Sequence, residues 1–130
     1  SIDSHTPAWC TASGKLYLSS LPKQRWEKII DSLPLQRYAR NTLVDPAQLE
    51  ADLITIKQRK IATDNEEFVD GMVGCAVPIK DRQRRLCGCL FIHAPLVRKS
   101  LDELLDHADL LYGAASKLGA SIDPPESHTA

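Results

Sequence analysis

No apolar run in this sequence approaches the roughly 20 residues that span a bilayer, and the first residues, SIDSHTPAW, have neither a basic start nor an apolar h-region. The chain therefore reads as that of a cytoplasmic protein with no membrane partner. A clustered basic footprint is missing as well. Sixteen Lys and Arg against seventeen Asp and Glu give a formal net charge of -1, and the basic residues are scattered. A module that binds DNA by itself concentrates positive charge, because phosphate neutralisation dominates such affinity. The densest group, Arg82, Arg84 and Arg85, reads as a solvated hairpin turn. Cys10, Cys75, Cys87 and Cys89 are even in number but lack the spacing of a small secreted disulfide scaffold, so reduced thiols are expected. Internal repeats and low-complexity segments are also absent.

What is present fits one domain. A chain of 130 residues with 43% hydrophobic and 25% charged residues is an ordinary globular composition that can bury a moderate core. Residues 1–8 read as an irregular lead-in. Helices are expected from Thr11 to Leu21, stopped by Pro22, and from Lys23 to Leu33, where Trp26, Ile29, Ile30 and Leu33 share one face. Residues 35–43 show no firm period. Asp45 and Pro46 suit the start of a third helix, with Leu49, Leu53 and Ile56 facing inward. The pattern then changes to strands at Ile61–Thr63, Val73–Ile79 and Leu86–Ala94. The middle strand lacks charge on both faces, so both are expected to be covered. Ser100 and Glu103 have capping-box spacing ahead of a wide apolar face from Leu101 to Leu118, with Gly119 as the expected C-terminal cap. A frayed tail is expected from Ser121 onward. This order predicts an α+β domain with a mostly antiparallel sheet.

The central stretch is Ile61 to Pro78, IATDNEEFVDGMVGCAVP. Asp64, Asn65, Glu66 and Glu67 cannot all face a core, so the run forms a turn or strand mouth. Its carboxylates point to water or into a polar cavity. This stretch resembles the signature of the effector-binding domain of IclR-type bacterial transcription regulators. Cys10-Thr-Ala-Ser-Gly-Lys resembles the family's Cys-Thr-Ala-x-Gly-Lys helix start, and Phe91-Ile-His-Ala-Pro with Arg98-Lys-Ser-Leu resembles its last strand and final helix. The three motifs occur in family order between about Pro7 and Leu118.

The resemblance implies a GAF-like (PAS/profilin-like) fold, with helices packed on a curved antiparallel sheet and the family domain's first strands missing. It implies a partial effector-binding domain over residues 1–122 and a disordered tail over 123–130. It also implies a small organic acid effector, aromatic acids included, self-association as dimer or tetramer, and DNA contact only through an absent helix-turn-helix domain. No enzyme activity, cofactor or metal is expected. The effector would contact Ala12, Ser13, Asp64, Gly74, Phe91 and His93. Gly74 stands where many family members carry Cys or Ser, and Phe91 and His93 stand where small polar residues such as Ser often occur. That exchange makes the cavity smaller or more aromatic.

Each candidate also has a plainer reading. Asp64 can accept hydrogen bonds from a ligand, or stabilise its own turn. Free amides at Ala12 and Ser13, with the helix dipole, favour an anion. Lys15 is expected in solvent. Glu66 and Glu67 sit on opposite sides of an extended chain and so make no acid-base dyad. Cys87 and Cys89 share a strand face with Phe91 and His93, and serve as small hydrophobes or, together with His93 and with His5 or Cys10, as zinc ligands at unusual spacing. A cysteine hydrolase would use Cys10, its thiol activated at a helix start, with His93 as base. A dimerisation module without ligand would use the Leu101 to Leu118 face.

Overall fold

The middle strand accounts for the layout of the computed structural model, which describes residues 7–122. Strand β2 (Met72–Lys80) pairs antiparallel with β1 (Ala62–Asn65) on one side and β3 (Leu86–Pro95) on the other. It is buried without interruption from Val73 to Val77. As expected, both of its faces are covered. Val73 and Cys75 pack with Leu104 and the partly buried Leu101, Leu105 and Leu111. Ala76 and Ala62 face a larger cluster that holds Trp9, Leu16, Leu18, Trp26, Ile30, Leu49, Leu53 and Ile56. The sheet is thus a layer between two helical layers.

On the larger side lie α1 (Ala12–Ser20), a short 3-10 turn (Lys23–Arg25), α2 (Trp26–Ser32) and α3 (Pro46–Arg59). Thr11 caps α1 by accepting the Gly14 amide at 3.0 Å, and Asp45 caps α3 by accepting the Ala47 amide at 3.0 Å. Lys60 ends α3 in a left-handed conformation. The second expected helix starts late, because Lys23–Arg25 forms the tighter 3-10 turn. β1 runs one residue beyond Asp64, which pairs with Gly74.

Two helices, α4 (Leu101–Leu105) and α5 (Ala108–Ser121), replace the single final helix that the apolar periodicity suggested. The capping box forms as predicted, Ser100 accepting from Glu103 and Glu103 returning to the Ser100 amide, both at 3.1 Å. The break follows from a local tightening. The His107 amide bonds Leu104 rather than the residue four back, which turns the chain between the two helices. Gly119 is not the cap. It is buried inside α5, where a Cβ would overlap the Lys80 carbonyl, so its missing side chain lets α5 lie directly on the end of β2. The tail expected from Ser121 does not begin there, since α5 runs through Ser121; residues 123–130 lie outside the described residues, as does His5. No helix among the described residues is long and apolar enough to cross a membrane.

Candidate functional site

Register builds the site. Asp64 pairs with Gly74, and Gly74 with His93, so these three stand in one row across the sheet, with Ala76 and Phe91 in the next. Their side chains share the face on which α1 packs. Gly74 keeps the row open. A Cβ there would meet His93 Cβ and the Ile92 carbonyl at 3.0 Å, tighter than ordinary packing.

Above this row sits the start of α1. The amides of Ala12 and Ser13 precede the first helical hydrogen bond, from Lys15 to the Thr11 carbonyl, so helix geometry leaves them without an intrahelical acceptor. The Glu66–Gly71 loop closes one side. Its backbone is held from within: Asp64 Oδ1 accepts the Glu67 amide at 2.8 Å, Glu67 Oε2 accepts the Asn65 amide at 2.9 Å, and Glu66 Oε1 accepts the Gly71 amide at 3.0 Å. Between these walls lies a cavity of about 310 Å³. Ala12, Ser13, Asp64, Gly74, Phe91 and His93 all line it, so the structure brings the six sequence-derived candidates together. Phe68, Val69, Met72 and Ile92 supply the apolar remainder, and sequence reasoning passed over them. Met72 was findable, since it lies two residues before Gly74 on the same strand face.

The cavity has a polar end and an aromatic lip. Burial pushes the Asp64 carboxyl above the usual aspartate value, against the Glu67 amide and the Lys15 charge, which pull it down. Asp64 thus serves the turn and faces the cavity at once. Phe91 stands on the edge strand, 56% exposed, with its ring stacked on His93 at 5.7 Å and 13°.

Lys15 departs from expectation. It is 1% exposed, and its ammonium donates to Asp52 at 2.6 Å and to Glu67 at 2.7 Å. Burial alone would lower its pKa, but the Glu67 and Asp52 carboxylates outweigh burial and hold it above the ordinary lysine value. Glu67 is raised, because its burial outweighs the pull of Lys15. The cluster ties α1, α3 and the loop together behind the cavity. Glu66 and Glu67 diverge as expected, though on a turn rather than an extended chain: Glu66 is left-handed (φ 57°) and faces Arg40 at 3.1 Å, while Glu67 turns inward.

The activated-thiol reading of Cys10 fails. Cys10 is fully buried, and burial first, then the Asp64 and Glu67 carboxylates, push its thiol up to about 12. Among the described residues no three His, Cys, Asp or Glu side chains converge as a metal site.

Comparison with known proteins agrees with this geometry. The family described as "Bacterial transcriptional regulator IclR C-terminal" matches residues 1–120. The chain belongs to this IclR family. It is 33% identical over 115 residues to the transcriptional regulator SauR of Cupriavidus necator, covering 88% of this chain and 46% of SauR. To the transcriptional repressor IclR of Escherichia coli it is 26% identical over 117 residues, covering 90% and 43%. The chain therefore spans about half the length of the curated relatives it matches, and those relatives are transcription regulators rather than enzymes.

Solved structures repeat the fold. A double mutant of the inducer-binding domain of the PobR transcription factor from Acinetobacter, in complex with 3-hydroxybenzoic acid, aligns with a TM-score of 0.85 at 25% identity, covering 90% of this chain and 67% of that one. The C-terminal domain of Escherichia coli KdgR aligns at 0.77 and 27% identity, covering 88% and 70%. The α+β expectation holds, and the chain is an effector-binding domain of the IclR type.

Proposed function

We propose that the 310 Å³ cavity binds a small organic acid, aromatic acids fitting it best, and that occupancy controls DNA binding by a segment of the regulator that this chain does not span. One observation carries the reading. Ala12 and Ser13, whose amides have no intrahelical acceptor and stand at the positive end of α1, line the same small cavity as Phe91 and the apolar Phe68, Val69 and Met72. A carboxylate suits the helix start and a flat ring the apolar side chains. Asp64 and His93 can hold a hydroxyl on such a ring. The volume lies at the lower end of small-molecule sites. The likeness to the PobR domain, whose double mutant holds a hydroxylated benzoic acid, supports the same class here.

Regulation follows if the acid prefers one arrangement of subunits, since a ligand shifts an equilibrium only through differential affinity. Such a regulator works in the cytoplasm. Self-association is supported by outward apolar side chains, Leu110 at 73% and Leu118 at 44% exposure. The inner face of α4 and α5 is not available for it, because Leu101, Leu104, Leu105 and Leu111 pack against β2.

A thermal-shift screen against aliphatic and aromatic carboxylic acids, 3-hydroxybenzoate included, tests the sensing reading. A ligand at about a hundred times its Kd adds roughly 2.7 kcal/mol to stability. The expected result is a saturable shift from an aromatic acid that Asp64→Ala or His93→Ala removes. If no acid shifts the protein, the sensing reading is withdrawn. Light scattering of Leu110→Asp beside the parent chain tests self-association, which should weaken in the variant.

A further inference from the structure

A second concavity lies at the opposite end of β2 from Gly74. Two adjoining clefts, of about 370 and 190 Å³, share Lys60, Pro78, Lys80 and Arg84 as walls; Lys57 joins the smaller and Arg82 the larger. Three separate segments deliver these cations: the last turn of α3, the end of β2 and the turn before β3. Local structure holds them in place. Lys60 is the left-handed cap of α3, and Arg84 is left-handed (φ 67°) in a turn whose Asp81 carboxylate accepts the Gln83 and Arg85 amides, each at 2.9 Å.

Among the described residues, the acid that could neutralise them in the cleft is engaged elsewhere. Asp81, the acid in the lining, is buried and paired with the Arg85 guanidinium at 2.9 Å. Arg82 donates to the Ala120 carbonyl, and Lys57 reaches the Ser19 carbonyl and lies over the Trp26 ring. Among the described residues no carboxylate pairs with Lys57, Lys60, Lys80 or Arg84. Lys80 registers the crowding: burial first, then Lys60, Arg84 and Lys57, hold its ammonium below the ordinary lysine value. The negative end of α3 accounts for Lys57 and Lys60. It does not account for Lys80 on a strand end or Arg84 in a turn.

We propose that this cleft binds a small, multiply charged oxyanion, either a phosphoryl group or neighbouring carboxylates, through Lys60, Lys80 and Arg84. The arginine fork and lysine ammonium groups suit such an anion, and the Ser116 hydroxyl in the same wall adds a neutral donor. A small ligand fits better than a nucleic acid. The cations line a recess, and the chain's remaining positive charge is scattered, so no continuous track for a polyphosphate backbone exists. The site shares no residue with the 310 Å³ cavity. α1 nevertheless borders both, with Ala12 and Ser13 at one and Leu16, Ser19 and Ser20 at the other.

Isothermal titration calorimetry of the chain with pyrophosphate, and separately with citrate, at constant ionic strength, tests the assignment. Saturable one-to-one binding of either anion is expected, and which one binds identifies the phosphoryl or carboxylate source. Lys60→Gln and Lys80→Gln should each raise Kd by about tenfold, the scale of one lost charged hydrogen bond. Arg98→Gln, beyond the opposite end of the sheet, should leave Kd unchanged. Absence of saturable heat with both anions overturns the proposal, as does equal weakening by Arg98→Gln. Tighter binding of a short DNA duplex than of pyrophosphate also overturns it. Circular dichroism of each variant separates lost binding from lost fold.

Discussion

Replacing Lys15 with Met should do more harm than any other single charge removal in the described domain. Met keeps most of the side-chain volume and removes the ammonium that holds Asp52 at 2.6 Å and Glu67 at 2.7 Å. The side chain of Asp52 is 29% exposed and recovers water, whereas that of Glu67 is 7% exposed and is stranded. Breaking a buried pair by removing one partner typically costs about 3–5 kcal/mol. With only one carboxylate stranded, the lower end applies, about 3 kcal/mol at pH 7. For a domain of this size that corresponds to a fall in Tm of roughly 10 °C. Urea denaturation followed by the fluorescence of the buried Trp9 and Trp26 measures it directly.

The pH dependence gives a second handle on the same variant. Glu67 in the fold titrates above its ordinary value of 4.5, chiefly through burial, and without Lys15 it must rise further. A group whose folded pKa is raised adds stability that is fully present below the unfolded value and is lost as pH rises through the folded one. The gap between variant and parent should therefore narrow as pH falls from 7 toward 4.5, because a protonated Glu67 needs no cation. A loss below about 1 kcal/mol at pH 7, or a gap independent of pH over that range, would refute the buried-cluster account.

Other substitutions probe the remaining contacts. Gly119→Ala should push α5 off the Lys80 carbonyl and cost about 2–3 kcal/mol in urea unfolding, whereas Gly113→Ala, with open space around its Cβ, should gain about 0.5–1 kcal/mol. Thr11→Ala removes the α1 cap on the Gly14 amide and should cost about 1 kcal/mol, read from the shift of the unfolding midpoint. At pH 8, iodoacetamide should label the exposed Cys87 and leave the buried Cys10, with its thiol pushed up to about 12, unmodified until the protein unfolds; mass spectrometry of the digested protein distinguishes the two.

Elements whose signals are local were legible. Asp45, Ser100 and Glu103 announce helix starts through bonds spanning two or three residues, and those bonds form. β2 was legible because a run uncharged on both faces has nowhere to go but the middle of a covered sheet. The grouping of Asp64, Gly74, Phe91 and His93 came from the family resemblance. Strand register is the physical reason for it, and register is set by pairings that no local pattern displays. Lys15 was misread because a lysine on a helix normally faces water. Its partners lie 37 and 52 residues away, so only the folded chain could reveal them. Its spacing held a clue, three residues after Ala12 and four before Ser19, both buried. Gly119 was misread for a similar reason, since a glycine near a helix end suggests a cap and the chain passing against it belongs to a strand some 40 residues earlier.

The cavity's shape and its chemistry rest on different atoms. Shape comes from backbone: the capped start of α1, the loop held by Asp64 and Glu67, and the bare Cα of Gly74. Chemistry at the mouth comes from Phe91 and His93, exposed side chains on an edge strand whose pairing does not depend on what they are. Exchanges at such exposed positions usually move stability by less than about 0.5 kcal/mol. A library randomised at Phe91 and His93 should therefore contain mostly folded members, and a sensor for a new acid could be selected from it by ligand response alone, with no prior screen for stability.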